Sequence, residues 1–311
     1  MFDSMGSILE ALSPEQQIAC STQNNILLTA CPGSGKTRTL THRLAYQVLR
    51  DPASKKIKIA ITYTNRAAEE ITNRLEGMNI DQSSIWAGTI HQFCMHFIIR
   101  PYAMYSKRLC KGYRIIDDYS KKAYGREIAE RLGMHLNYYD DPFQYENVRT
   151  EYKRVLKEKK EIDFDAILLI SEELLASCAF IGSNIASVIS SILVDEFQDT
   201  NELQYSILST IYKANKSIIL MFVGDVNQAI YSSLGGVAKE KKELEALYGT
   251  SDIQSYDVLS SVNCCRHIDA DGIICLSVAI QKVFALLNIC VSKESSLSEL
   301  KASFLMKSAQ E

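Results

Sequence analysis

Five short runs of β-branched and apolar residues punctuate the chain: "NNILLTA", "KIKIAITYT", "SSIWAGT", "SILVDE" and "SIILMFVGD". Each ends in small or polar residues, and runs of this kind predict strands buried on both faces. Between the early ones lie stretches of helical period, such as "NRAAEEITNRL". The alternation predicts an α/β fold, a parallel sheet covered by helices on both sides that meets its ligands at the carboxyl ends of its strands. From about residue 97 to 190 the alternation gives way to helix-rich, strongly charged sequence, which predicts an inserted helical subdomain returning near "DFDAILLISEELL", 163–175. After 249 the charge thins and cysteines cluster. The expected organisation is therefore 1–96 and 191–249 as the two parts of one sheet domain, and 97–190 as the insertion and return. Residues 250–311 are either the start of a second domain or a docking tail.

Composition narrows this picture little. Hydrophobic content of 47% in 311 residues suits a globular protein of one or two domains. A formal net charge of −3 gives no global basic field, so any nucleic-acid contact has to come from a local patch. Nine cysteines without C-x-x-C spacing point to reduced thiols rather than a disulfide framework. The start "MFDSMGSILEALS" has no basic region followed by an apolar one, so the expected location is cytoplasmic. The apolar segment 272–291 is interrupted by Gln281, Lys282 and Asn288, which favours a buried or partner-covered helix over a membrane span.

The candidate chemistry begins at "LLTACPGSGKTRTL", 27–40. Gly33, Ser34 and Gly35 allow backbone N–H groups to curl around phosphate oxygens, and the following helix directs its positive end at them. Lys36 is placed to reach the β- and γ-phosphates of ATP, and the Thr37 hydroxyl to ligate the accompanying Mg2+. The match to G-x-x-x-x-G-K-[ST] departs only at Ala30. Further on, "SILVDEFQDTNELQ" places Asp195 and Glu196 at a strand end. Asp195 suits magnesium, and Glu196 suits orienting and deprotonating the attacking water. "FVGDVNQAIY" supplies Asp225 and Gln228, whose amide suits the γ-phosphate or that water.

These motifs occur in a longer series: "LSPEQ", "ACPGSGKTRTL", "TYTNRAAEEI", "GTIHQF", "DFDAILL", "VDEFQDTNELQ" and "GDVNQAIY". In order and spacing the series resembles the UvrD/Rep-type superfamily 1 DNA helicases. That resemblance implies a RecA-like P-loop NTPase sheet with an inserted helical subdomain, and the activity of a DNA-dependent ATPase. It implies that Gln16 reads the adenine edge, that Arg38 lies against the nucleotide, and that Lys36, Glu196 and Gln228 act in hydrolysis. Thr62, Tyr63, Asn65, Thr89 and His91 would lie along single-stranded DNA, with Tyr63 suited to stacking. Without the resemblance, His91 reads as a core or capping histidine. Within the insertion, 100–126 holds eight Lys or Arg against two Asp, interleaved with five tyrosines. This is either a nucleic-acid face or a solvated one.

The resemblance weakens after Tyr231, itself a candidate base contact. Ser232, Ser233, Leu234 and Gly235 stand where the family has glycine, an aromatic, arginine and glycine. "LSSVNCCRHID" only faintly resembles the first motif of the family's second RecA-like domain, with Arg266 as its candidate arginine. The expectation is an ATP-hydrolysing helicase core that acts within a larger assembly, contacts single-stranded DNA, and has a protein partner or further copies of itself. A nuclease partner, as for the helicase-like subunit of an anti-phage system such as Gabija, is one setting. The alternatives are a nucleotide-sensing subunit that unwinds nothing and a truncated remnant. Cys264, Cys265, His267 and Cys275 lack zinc-site spacing and read as buried thiols.

Overall fold

The computed structural model describes residues 2–30, 33–137, 139–225 and 239–258. The chain opens with α1 (Phe2–Glu10) and α2 (Pro14–Ser21). It then alternates through β1 (Ile26–Ala30), α3 (Lys36–Arg50), β2 (Ile57–Thr62), α4 (Asn65–Gly77) and β3 (Ile85–Thr89). A broken helical passage follows: α5 (Ile90–Phe93), a π-helical turn at Cys94–Ile99 and α6 (Arg100–Tyr102). The insertion proper contains β4 (Arg114–Ile115), α7 (Asp118–Arg131), α8 (Glu146–Lys159) and β5 (Glu161–Ile162). The chain returns through α9 (Phe164–Ser177), α10 (Ala179–Val188) and β6 (Ile189–Asp195), then continues with α11 (Glu202–Ala214), β7 (Ile219–Gly224), α12 (Lys241–Tyr248) and β8 (Gln254–Val258).

All five runs singled out by their apolar character are strands. They join β8 in one parallel sheet ordered β3-β2-β6-β7-β1-β8. Alternation within each strand explains the continuous apolar runs, because both faces are covered. Ile26, Leu28, Leu193, Met221 and Val223 pack with α3 and α4 on one side. Their neighbours Leu27, Ile192, Val194, Leu220 and Phe222 pack on the other side with α9, α10 and α11. The protein is thus an α/β RecA-like P-loop NTPase fold with helical insertions.

The insertion has its own small core, in which Ile116, Ile128, Val148, Tyr152 and Leu156 are buried together. It is tied to the returning chain at Asp163. This carboxylate caps α9 by accepting from the Ala166 N–H at 2.9 Å and also accepts from the Tyr152 hydroxyl at 3.0 Å. The composition change after 249 does not coincide with the edge of the sheet, since β8 lies beyond it. β8 pairs with β1 along its length, and Asn25 helps to hold this edge by donating to Asp252 and Tyr212 and accepting from the Leu220 N–H.

Among the described residues there is no cluster of metal-ligating side chains, and no helix is long and apolar enough to cross a membrane. Cys20 and Cys94 are free thiols buried in the core, and burial pushes each up to about 12. The segment 272–291 and the group Cys264, Cys265, His267 and Cys275 lie outside the described residues.

Candidate functional site

The loop after β1 is shaped for an anion. Gly33 and Gly35 both have positive φ, at 75° and 86°, which side chains at these positions would resist. Gly35 is the N-cap of α3 and brings no side-chain acceptor, so the first N–H groups of this 15-residue helix keep their capacity for a ligand. The Ser34 hydroxyl is buried without a hydrogen-bond partner. A buried donor left unmatched is costly, and a phosphate oxygen would satisfy it.

Lys36 and Thr37 start α3 and face the end of β6, although β7 lies between β6 and β1 in the sheet. The Lys36 ammonium is 3.5 Å from the Ala30 carbonyl and 3.6 Å from Glu196 Oε2. The Thr37 hydroxyl donates to Asp195 Oδ2 at 3.0 Å, while Asp195 Oδ1 accepts from the Glu196 N–H at 3.1 Å. Burial pushes the Asp195 carboxyl up to about 6, the Glu196 charge adds to this, and the Thr37 hydrogen bond opposes it. A buried carboxylate beside a hydroxyl is a donor set suited to a hard divalent cation. Glu196 itself has left-handed backbone, φ 50° and ψ 48°, a conformation that a residue with a side chain adopts only where its surroundings hold it.

Gly33, Gly35, Lys36, Thr37, Arg38 and Glu196 line one cavity of about 670 Å³, a volume on the scale of a small-molecule ligand. Arg38 reaches back to donate to the Ala11 carbonyl at 2.7 Å. His42, Arg74 and Met78 complete the lining; sequence reasoning did not single them out, because His42 lies about two turns into α3 and Arg74 and Met78 come from the end of α4, which only the fold brings to the loop. Gln16 sits above the loop. Its Oε1 accepts from the Ser13 N–H at 3.0 Å and its Nε2 donates to the Ser34 carbonyl at 3.0 Å.

A second cavity, of about 770 Å³, opens along the same strand edge beyond β2 and β3. Tyr63, Asn65, Thr89 and His91 all line it. Thr62 does not: it is buried below, with its hydroxyl donating to the Thr64 carbonyl at 2.9 Å. His91 meets the Phe164 ring edge-on at 6.0 Å, and burial lowers its pKa. Trp86, His96, Arg100 and Phe164 also face this space; Arg100 opens the basic stretch 100–126, and the other three were missed. Trp86, the chain's single tryptophan, and the Phe of "DFDAILL" were the available signals.

The basic stretch 100–126 divides. Tyr102 and Tyr105 pack edge-on against Phe180, and Tyr124 lies under the Lys159 ammonium at 4.0 Å, while Tyr119 is exposed. Gln228, Tyr231 and Arg266 lie outside the described residues.

The AAA domain family matches residues 15–234. The ATP-dependent DNA helicase PcrA of Leuconostoc citreum is 28% identical over 245 residues, 69% of this chain and 32% of that protein. DNA helicase II of Escherichia coli (strain K12) is 28% identical over 257 residues, 73% of this chain and 35% of that protein. The chain thus spans about a third of the length of these relatives. Among solved structures, the DUF1998 helicase MrfA bound to DNA aligns with 82% of this chain and 29% of its own, at 11% identity and a TM-score of 0.39. The two helicases mark a distant similarity to superfamily 1 DNA helicases.

Proposed function

The chain belongs to the AAA domain family, and from that premise we propose that it is the ATP-binding and ATP-hydrolysing core of a UvrD/Rep-type DNA helicase that works in the cytoplasm within a larger assembly. The observation that carries this reading is the meeting of Lys36, Thr37 and Glu196 at one cavity behind a positive-φ glycine loop, with the buried Asp195 carboxylate held against the Thr37 hydroxyl. The unmatched Ser34 hydroxyl and the buried Asp195 carboxylate are what a phosphate and a divalent cation would satisfy.

Magnesium, when bound, would neutralise triphosphate charge and polarise the γ-phosphoryl group. Thr37 and Asp195 would hold it. Lys36 would hold the β- and γ-phosphates, exchanging its contact with Glu196 for the substrate's charge. Glu196 Oε1 has no hydrogen-bond partner among the described residues and would take the proton of the attacking water. Gln16 would exchange the Ser34 carbonyl for the adenine edge, and Arg38 would lie against the base. Gln228, and an arginine such as Arg266 or one from a facing chain, would complete the γ-phosphate site.

The second cavity supports single-stranded DNA as the partner. It offers the exposed Tyr63 ring and the neutral polar groups of Asn65 and Thr89 for stacking and hydrogen bonding, and no acidic side chain among the described residues lines it. In this reading the apolar tail from 272 docks on a partner, a nuclease or a second copy being the candidates. The test is steady-state ATP hydrolysis with and without single-stranded DNA. Stimulated turnover that is lost in Glu196→Gln supports the core. Turnover indifferent to both DNA and Glu196 overturns it, and tight magnesium-dependent nucleotide binding without turnover favours a nucleotide-sensing subunit.

A further inference from the structure

Gln198 is 3% exposed and uses both ends of its amide. Its Nε2 donates to Glu196 Oε2 at 2.7 Å, and its Oε1 accepts from the Asp225 N–H at 3.1 Å, just past the end of β7. We propose that Gln198 is a positioning residue that sets the Glu196 carboxylate from the end of β7. The inference rests on the reading of Glu196 as the base in ATP hydrolysis.

Three further observations carry it. Glu196 stands on left-handed backbone, so its side chain is not held by regular secondary structure and needs an external brace. Lys36 and Gln198 both address Oε2, which turns the same oxygen inward and leaves Oε1 for a water molecule. At Gly224, a Cβ would lie 2.1 Å from Gln198 Oε1 and 2.7 Å from the Phe197 ring, so only glycine allows the amide to lie against β7. The turn that carries Gln198 is fixed in addition by the Tyr205 hydroxyl, which donates to the Phe197 carbonyl at 2.8 Å. A displacement of the end of β7 therefore moves the amide, and the amide moves the carboxylate.

Glutamine is specifically suited to the bridge. Methionine matches its length and makes neither bond. Glutamate would still accept from Asp225 but would face Glu196 with a like charge.

The test uses the 311-residue protein with ATP, magnesium and single-stranded DNA, and follows amide exchange at Asp225 by nuclear magnetic resonance. Gln198→Met is expected to lower kcat by about 10²-fold through misplacement of the base while KM for ATP stays within about twofold, with faster Asp225 exchange. Gln198→Glu is expected to lower kcat similarly with Asp225 still protected, and it decides the matter if the methionine variant does not fold. A Gln198→Met protein with unchanged kcat, or with unchanged Asp225 exchange, overturns the inference alone. Absence of turnover in the wild type overturns the reading of Glu196 and this inference with it.

Discussion

The two cavities share one edge of one sheet and are built on opposite principles. In the first, opposite charges are set against one another over a buried floor: Lys36 is 8% exposed and lies against Glu196, and the Asp195 carboxylate beneath Thr37 is 4% exposed. In the second, Tyr63 is 58% exposed, the aromatic rings stand open, and the ionisable groups are Arg100, His91 and His96. Buried, mutually paired charge suits a single small anion and a metal, because low dielectric makes each contact strong and specific. Open rings with neutral donors and a few cations suit a polymer that must be held without regard to its sequence. The lesson is that position along the strand ends sets where the two cavities lie, while burial sets which of them suits chemistry and which suits holding.

The strongest way to break this comparison is Lys36→Ala. On the proposed role of Lys36 at the β- and γ-phosphates, loss of its charge should lower ATP turnover by at least about 10²-fold. Single-stranded DNA affinity, read by fluorescence anisotropy without nucleotide, should stay within about twofold. A parallel collapse of both would mean that the two cavities are one functional unit.

Next in size is Asp195→Asn, which tests whether burial of charge beneath the first cavity is costly. With the folded carboxyl pushed up to about 6 from an ordinary 3.8, the folded protein binds this proton more tightly than the unfolded chain does. The stability contributed by the proton is complete below 3.8 and is lost as pH rises through 6. At pH 7 the ionised, ligand-free group therefore destabilises the fold by up to about 3 kcal/mol. The asparagine variant should be more stable than wild type in urea at pH 7 and should gain little at pH 4, while losing magnesium-dependent turnover. Equal stability at pH 7 would show that the site is better solvated than its burial indicates.

The legibility of these regions in the sequence differs for the same reason that the regions differ. Strands β1, β2, β6 and β7 could be read because burial on both faces leaves continuous apolar runs, and the edge strand β3 because Ile85, Trp86 and Ala87 still pack partly buried against the two cores. The sequence of β8, "QSYDV", carries no such signal: it is an edge strand whose Gln254, Ser255 and Asp257 are exposed. The glycine loop, Lys36 and Thr37 are a local pattern, and the acidic pair ends a recognisable strand, so the residues of the first cavity could be named in advance. The second cavity gathers Trp86 from β3 and Phe164 from α9, far apart in sequence, and only the returning insertion brings them together. Gln198 was in plain view inside "VDEFQDTNELQ". Its partner, the Asp225 N–H, is tertiary, and so is the steric demand that makes residue 224 a glycine.

A smaller effect is expected at Tyr63, where the second cavity presents its most exposed ring. Base stacking contributes roughly 1–3 kcal/mol per ring, so Tyr63→Ala should weaken single-stranded DNA binding by about tenfold. Tyr63→Phe should retain most of it, and basal ATP turnover should not change. An alanine variant with wild-type affinity at low salt would place the polymer elsewhere.

The smallest expected effects give the sharpest comparison, because both cavities are bordered by a short helix with the same end structure. Ser13 caps α2 and Thr89 caps α5, and each helix returns a glutamine side chain to its cap: Gln16 Oε1 accepts from the Ser13 N–H at 3.0 Å, and Gln92 Oε1 from the Thr89 N–H at 2.9 Å. Loss of such a cap costs about 1 kcal/mol. Gln16 also donates to the Ser34 carbonyl, so the cap on α2 is linked to the phosphate loop as well as to its own helix. Ser13→Ala should therefore weaken magnesium–nucleotide binding by up to about fivefold, the equivalent of 1 kcal/mol, and leave DNA binding unchanged. Thr89→Ala should do the reverse, since Thr89 lines the second cavity. Calorimetric titration of each variant with each ligand separates the outcomes. Equal effects of both substitutions on both ligands would show that the caps act through the shared sheet rather than through the cavities they border.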